Sequence, residues 1–470
     1  MPLTPLMEKR LRAAFHAKRI AVVGASEDQL SIGMGPVYNL ITYGFKGEVL
    51  PVNPKHDKIL GQKCYPDLES IHPPPDLAIL VLNERLAVDM TERAAKHGVG
   101  AVTIVAGGFG EVRAGGGVLH ERLKEIAFRY ELPVIGPNTL GFCALNQGQN
   151  GVFSHFTSDR GNIAIISQSG GVGMTIAFRL QDMFCEPGYF VGVGNQVVLN
   201  FADYLQILRD APDIHAFALF VEGVEDPRSL YEALRATALK KPLVVYKAGK
   251  NEGVSKATAT HTGSLTGEYR LYKAMFKQAG ALEVNSTHEA AVAAKALSMV
   301  GVPAGNRLCA FTYTAGPCIV AMDRLLEKGW ELPDLTDRAR SKVRSVIGEK
   351  IPVDLQNPVD LTGPGSLPKF YSSVFETVLN EDYDAYLLVY AYSAHTRVPS
   401  VELVSLIKQH SGKSVVLVLM GKYFETAPYL KELTAKGVCV FSTPEDGAVA
   451  LNALLSRSHF LKRISADDHA

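Results

Sequence analysis

The sequence has no excess of charge: lysine plus arginine and aspartate plus glutamate number 48 each. That balance gives no reason to expect nucleic acid or an anionic membrane surface as a partner. Any anion site must then be local, built from backbone amides and a few side chains. Paired cysteines are lacking too. The six cysteines, Cys64, Cys143, Cys185, Cys309, Cys318 and Cys439, are scattered and form no CxxC pair. This argues against a disulfide framework and a zinc site, and it suits a reducing compartment. No run of about 18 apolar residues is present, so no membrane span is expected. The first twenty residues carry charges where a signal peptide needs an apolar stretch. There is no GxxxxGK[ST] phosphate loop. A soluble cytoplasmic protein with no metal site of its own is the expectation.

What the chain does have is length and apolar content: 470 residues, 47% hydrophobic. That exceeds a single core and predicts about three domains. One pattern occurs three times. A short apolar strand runs into a turn of small residues, and a helix follows. The segments are Arg19–Ser26 (RIAVVGAS), Asn162–Gly171 (NIAIISQSGG) and Arg307–Gly316 (RLCAFTYTAG). Each reads as the first βα unit of its own α/β domain, a structural echo rather than a sequence repeat. Further buried strands are predicted at Glu48–Val52, Leu77–Leu82, Ala101–Ala106, Pro133–Ile135, Ala216–Val221, Leu243–Tyr246, Ala385–Tyr390 and Ser414–Met420. They are continuous apolar runs, as parallel strands covered on both faces require. Helical stretches such as Val118–Tyr130 lie between them. The expectation is α/β: three doubly wound parallel sheets over residues 1–146, 147–303 and 304–470. Ligands of such sheets bind at the carboxyl ends of strands.

In the first domain Gly24-Ala25-Ser26 ends a strand, with Gly33 and Gly35 a little later. Glycines let backbone amides approach a phosphate at a helix start. The spacing does not fit GxGxxG, and a tight turn without ligand is the alternative. The second strand ends Val52-Asn53-Pro54-Lys55, with no acid for a ribose diol. The basic Lys55 suits a phosphorylated ribose, as in NADP or coenzyme A.

The second domain contains Lys247–Gly267 (KAGKNEGVSKATATHTGSLTG), rich in Gly, Thr, Ser and Lys, which predicts a mobile loop. His261 lies in it, one of 13 histidines. Its imidazole, with an ordinary pKa near 6.5, is largely neutral and nucleophilic at about pH 7. Ser167-Gln168-Ser169-Gly170-Gly171 opens a helix whose free amides suit a phosphoryl group. Glu222, at a strand end, can accept the proton on one imidazole nitrogen and leave the other free to attack. A solvated strand-end acid is the alternative for Glu222.

Taken in order, GAS, PVNPK, AGGFG and GPNTLG, then SQSGG, GNQ (Gly194–Gln196), VEG (Val221–Gly223) and HTGSLTG (His261–Gly267), resemble the NDP-forming acyl-CoA synthetases. That family includes succinyl-CoA synthetase α subunits and ADP-forming acetyl-CoA synthetases. The resemblance implies a Rossmann-like CoA-binding domain followed by two flavodoxin-like domains. Coenzyme A would meet Gly24, Ala25, Ser26, Gly33, Asn53 and Lys55 at its nucleotide end, and Val81, Leu82 and Asn83 along the adenine side. Gly107 and Gly108 would continue the site, with Pro137 and Asn138 near the thiol. His261 would be the phosphoryl acceptor and Glu222 its orienting carboxylate. Ser167, Ser169, Gly170, Gly171, Thr262 and Gly263 would bind phosphate.

The third domain has NPVDLTG (Asn357–Gly363) as in longer members of the family. Its TYTAGPC (Thr312–Cys318) departs from their TNAGGPG, with Cys318 reading as a reactive thiol at a helix start or a small buried one. The family's reaction also needs an ATP-grasp module. The resemblance therefore implies a separate ATP-grasp β subunit in an α2β2-like assembly, with Mg2+ accompanying ADP or GDP there. Acyl-CoA, carboxylic acid and phosphate would be the other ligands. A CoA-binding regulatory or scaffold protein without catalysis, and an NADP-dependent oxidoreductase, are the competing readings.

Overall fold

The computed structural model describes residues 3–109, 116–251, 268–348, 351, 353–392, 400–410 and 412–467. The apolar runs form strands buried on both faces. In the first sheet these are β1 (Arg19–Val23), β2 (Glu48–Val52), β3 (Leu77–Leu80), β4 (Ala101–Ile104) and β5 (Val134–Ile135). The second sheet holds β6 (Phe142–Ala144), β7 (Gln149–Asn150), β8 (Ile163–Ser167), β9 (Pro187–Gly192), β10 (Ala216–Val221), β11 (Leu243–Lys247) and β12 (Ala281–Val284). The third holds β13 (Leu308–Thr312), β14 (Val359–Asp360), β15 (Ala385–Ala391), β16 (Ser414–Met420) and β17 (Val440–Phe441).

The strand orders are β2-β1-β3-β4-β5, then β12-β11-β10-β8-β9-β6-β7, then β14-β13-β15-β16-β17. Counted from its opening strand, each parallel sheet therefore runs 2-1-3-4-5, the flavodoxin-like doubly wound order. The second carries an antiparallel extension, since β6 pairs with β9 and β7 with β6. The three βα openings are the three first strands. Each lies beside the point where the strand order reverses, which is where such sheets bind ligands.

The chain forms two compact units. Met1–Phe178 with Glu186–Thr287 contains the first two sheets, and Arg179–Cys185 with His288–Ala470 contains the third. The expected 146/147 boundary falls inside the hairpin of β6 and β7, which extends the second sheet. The helix Thr287–Met299, placed by sequence with the second domain, packs in the second unit. Its Lys295 is fully buried and donates to the carbonyls of Met183 and Val440, both at 2.8 Å.

In the first unit the charged N-terminal segment is the helix Pro5–Ala14, capped by Thr4. Arg10 donates to the carbonyls of Tyr130 and Glu131, and Arg12 to that of Ile207. No described helix is long and apolar enough to cross a membrane. All six cysteines are buried.

In the second unit NPVDLTG is a bracket. Asn357 accepts the Ala310 N–H at 3.0 Å and donates to the carbonyls of Leu308 (2.8 Å) and Pro333 (3.0 Å), which locks it to β13. Cys318 is fully buried in the helix Ala315–Leu326, and burial pushes its thiol up to about 12. It is the small buried thiol of the two readings, not a reactive one.

Candidate active site

Two glycines shape the first sheet's strand ends. Gly24, at the end of β1, has φ +87°, and a Cβ there would stand 2.2 Å from the Val81 carbonyl oxygen. A Cβ on Gly33, which precedes the helix Met34–Thr42, would stand 2.0 Å from the carbonyl oxygen of Gly24. Their spacing is not that of a dinucleotide fingerprint, yet it does the same job: two strand ends and a helix start approach at backbone distance. Gly33→Ala is expected to force them apart, at about 1–3 kcal/mol for overpacking. The thermal midpoint should drop accordingly, which scanning calorimetry measures.

Asn53 holds this turn in place. Its side chain donates to the Ala25 carbonyl at 2.8 Å and accepts the Lys55 N–H at 3.0 Å. The side chain of Asn83 caps the helix Glu84–His97 by accepting the Leu86 N–H. Both asparagines therefore organise backbone around the site. Ala25 is fully buried, Ser26 accepts the Asp28 N–H, and Lys55 is exposed.

A cavity of about 590 Å³ runs from these strand ends to the start of the helix Gly170–Asp182. Its wall includes Val81, Leu82, Asn83, Gly107 and Asn138 on one side and Gln168, Ser169, Gly170 and Gly171 on the other. Residues expected at coenzyme A and residues expected at phosphate thus line one space. Gly24, Ala25, Ser26, Gly33, Asn53, Lys55, Gly108, Pro137, Ser167 and Glu222 lie outside that wall. Ser167 is fully buried and donates its hydroxyl to the Ser169 carbonyl at 2.6 Å, so it shapes the turn. Ser169 Oγ accepts the Val172 N–H at 3.4 Å. A Cβ on Gly171 would meet nothing within 4 Å, which leaves room for an anion at the helix start. His261, Thr262 and Gly263 lie outside the described residues.

The remaining motifs interlock around this cavity. Asn138, with φ +57° and exposed, donates from its side chain to Asn195 Oδ1 at 3.1 Å. Asn195 N–H returns to the Pro137 carbonyl at 2.9 Å, and Gln196 Nε2 reaches the Gly223 carbonyl at 3.4 Å. Gln168 Oε1 accepts the N–H groups of Glu222 (2.9 Å) and Gly223 (3.1 Å). GPNTLG, GNQ, VEG and SQSGG are therefore one hydrogen-bonded cluster. Glu222 is 7% exposed at the end of β10, so it is not the solvated strand-end acid of the alternative reading.

Three residues that sequence reasoning did not select complete the cluster: Gln168, Lys247 and Tyr272. Gln168 was visible inside SQSGG, but its role depends on a strand distant in sequence. Lys247 Nζ donates to the carbonyls of Glu222 (2.7 Å) and Ala248 (2.5 Å) and stands 4.6 Å from the Tyr272 ring centre. Tyr272 hydroxyl accepts the Val224 N–H at 3.2 Å. Nearby, Glu283 binds Lys250 Nζ at 2.9 Å and the Tyr269 hydroxyl at 2.6 Å. Burial opposes the charge on Lys250, but Glu283 outweighs it and raises the pKa.

A switch-point cavity, small-residue turns and a helix start that borders the same space mark an α/β protein of the nucleotide- and phosphate-binding class. Residues 18–144 match the family model of a CoA-binding domain, and residues 160–297 that of a succinyl-CoA ligase-like flavodoxin domain. The chain is 32% identical over 450 residues to the α subunit of acetate–CoA ligase [ADP-forming] II from Pyrococcus furiosus, covering 94% of this chain and 97% of that one. It is 31% identical over 407 residues to acetate–CoA ligase [ADP-forming] I from Archaeoglobus fulgidus, covering 87% of this chain and 58% of that one. The structure of the dinucleotide-forming acetyl-coenzyme A synthetase 1 of Candidatus Korarchaeum cryptofilum, in complex with phosphate and ADP, superposes with a TM-score of 0.88 at 29% identity. That match covers 96% of this chain and 97% of the other. The chain belongs to the NDP-forming acyl-CoA synthetase family, with the α subunits of its ADP-forming acetyl-CoA branch.

Proposed function

We propose that this chain is the CoA-binding and phosphoryl-carrying subunit of an acyl-CoA synthetase. It interconverts acyl-CoA, phosphate and ADP (or GDP) with carboxylic acid, CoA and ATP (or GTP). The observation that carries the reading is the single cavity from Val81–Asn83 and Asn138 to the helix start at Ser169–Gly171. A thioester on one side and phosphate on the other would meet in that space.

Phosphate on the Ser169–Gly171 amides attacks the thioester carbonyl. The C–S bond breaks, and the sulfur leaves as thiolate and takes a proton, giving acyl phosphate and CoA. A nitrogen of His261 then attacks phosphorus, and the bond to the acyl oxygen breaks with release of the carboxylate. Glu222 accepts the proton of the other ring nitrogen and stabilises the charged ring that forms. Phosphohistidine then delivers its phosphoryl group to the nucleotide on an ATP-grasp β subunit, where Mg2+ accompanies the nucleotide, in an α2β2-like assembly. The P. furiosus relative, matched over 97% of its length, is named as an α subunit, which supports a separate partner.

The full chain, incubated with acetyl-CoA and labelled phosphate, should release CoA and take up an acid-labile phosphoryl label. CoA binding with neither release nor label would leave the non-catalytic reading instead.

A further inference from the structure

The mechanism above leaves unused a cation buried directly behind Glu222. Lys247, the last residue of β11, is 1% exposed. Its ammonium gathers the carbonyls of Glu222 and Ala248 over the Tyr272 ring, while Gln168 takes the N–H groups of Glu222 and Gly223. The turn after β10 is therefore gripped on both its donor and acceptor sides. A buried ammonium is costly, and an apolar side chain would fill the same slot without that penalty. The charged and titratable groups that face Lys247 are Glu222 after β10, Glu283 on β12, Lys250 after its own strand, and Tyr272 on the helix Tyr269–Ala279. Of the two carboxylates, Glu283 is already engaged by Lys250 and Tyr269. Glu222 supports the Lys247 charge more than Glu283 does.

We propose that Lys247 is a positioning residue: its ammonium fixes the Glu222 backbone and so holds the Glu222 carboxylate in place for His261, and phosphoryl transfer is fast only while Lys247 is protonated. The inference rests on the roles given above to Glu222 and His261. Burial lowers Lys247 from 10.5 to about 8, against the opposing pull of Glu222 and Glu283. The ammonium is therefore present below that value and lost above it. The unfolded chain keeps this proton up to 10.5, so across the window between the two values the residue favours the fold more as pH rises. Activity and this residue's contribution to stability then run in opposite directions, which a purely structural lysine would not produce.

The test is the rate of acid-labile labelling of the full chain from acetyl-CoA and labelled phosphate, followed from neutral to alkaline pH. Wild type should lose about tenfold per pH unit above its alkaline midpoint. Lys247→Arg should push that limb beyond the range, and Lys247→Met should show a low plateau without it. Thermal midpoints at each pH separate these effects from unfolding, and if Lys247→Arg does not fold, wild type against Lys247→Met decides. A wild-type profile flat through the midpoint, or an unchanged limb in Lys247→Met, overturns the inference. If wild type takes no label, the functional reading fails and the lysine is judged by lysine side-chain NMR. A resonance absent from Lys247→Met that titrates near the lowered value and moves in Glu222→Gln sustains the coupling; one indifferent to Glu222→Gln overturns it.

Discussion

His261→Ala is expected to abolish the acid-labile label and to lower acyl phosphate turnover by on the order of 10³-fold or more, the scale on which an enzyme loses its nucleophile. CoA affinity should not change, because the groove at Val81–Asn83 and Asn138 belongs to other strand ends. In the proposed sequence phosphate attack uses the helix-start amides rather than the imidazole, so formation of acyl phosphate from acyl-CoA should also survive. The variant should therefore let acyl phosphate accumulate where wild type consumes it. Rapid quench followed by hydroxylamine trapping measures this directly.

Glu222→Gln should cost about 10²-fold in label formation, within the range found for a group that handles a proton in the transition state. The substitution keeps the volume and the backbone contacts. The Glu222 carbonyl still accepts from Lys247, and its N–H still donates to Gln168. Thermal stability and CoA binding should stay close to wild type, and the loss should fall on the rate constant rather than on KM for phosphate. A loss confined to KM would make Glu222 part of the phosphate site instead. The variant also bears on Lys247, because the amide removes the Glu222 charge that favours the ammonium while leaving the Lys247 contact to the Glu222 carbonyl.

Much of the architecture was legible because parallel strands covered on both faces must be continuous apolar runs. Glu48–Val52, Ala216–Val221 and Ser414–Met420 have the bounds the sequence implies. Strands without such a run stayed hidden. β9 is PGYFVG, framed by residues that ordinarily signal turns, and β14 and β17 are two residues each. The antiparallel pair β6 and β7 was hidden for another reason. It follows GPNTLG directly and continues the neighbouring sheet, which no local periodicity announces.

The site divides in the same way. Motif residues such as Ser169, Gly170 and Asn138 sit where a strand meets a turn, and that position can be read in the chain. Whether a side chain meets a ligand or holds the frame depends on partners far away in sequence. Asn53 and Ser167 turned out to brace turns, and Asn357 to clamp β13. Conversely, Lys247 looked like the first basic residue of a polar loop. Its importance comes from the carbonyls of Glu222 and Ala248 and from Tyr272, which only the folded sheet brings to it.

The central claim is that one residue of this chain carries the phosphoryl group between acyl phosphate and nucleotide. Mapping the label is its most direct test. The full chain is charged with acetyl-CoA and phosphate, quenched in alkali, digested, and sequenced by fragmentation that spares phosphoramidate bonds. The account predicts phosphohistidine at His261 alone. A phosphoryl group on any other residue, or a chain that turns over acyl-CoA with none, would contradict it.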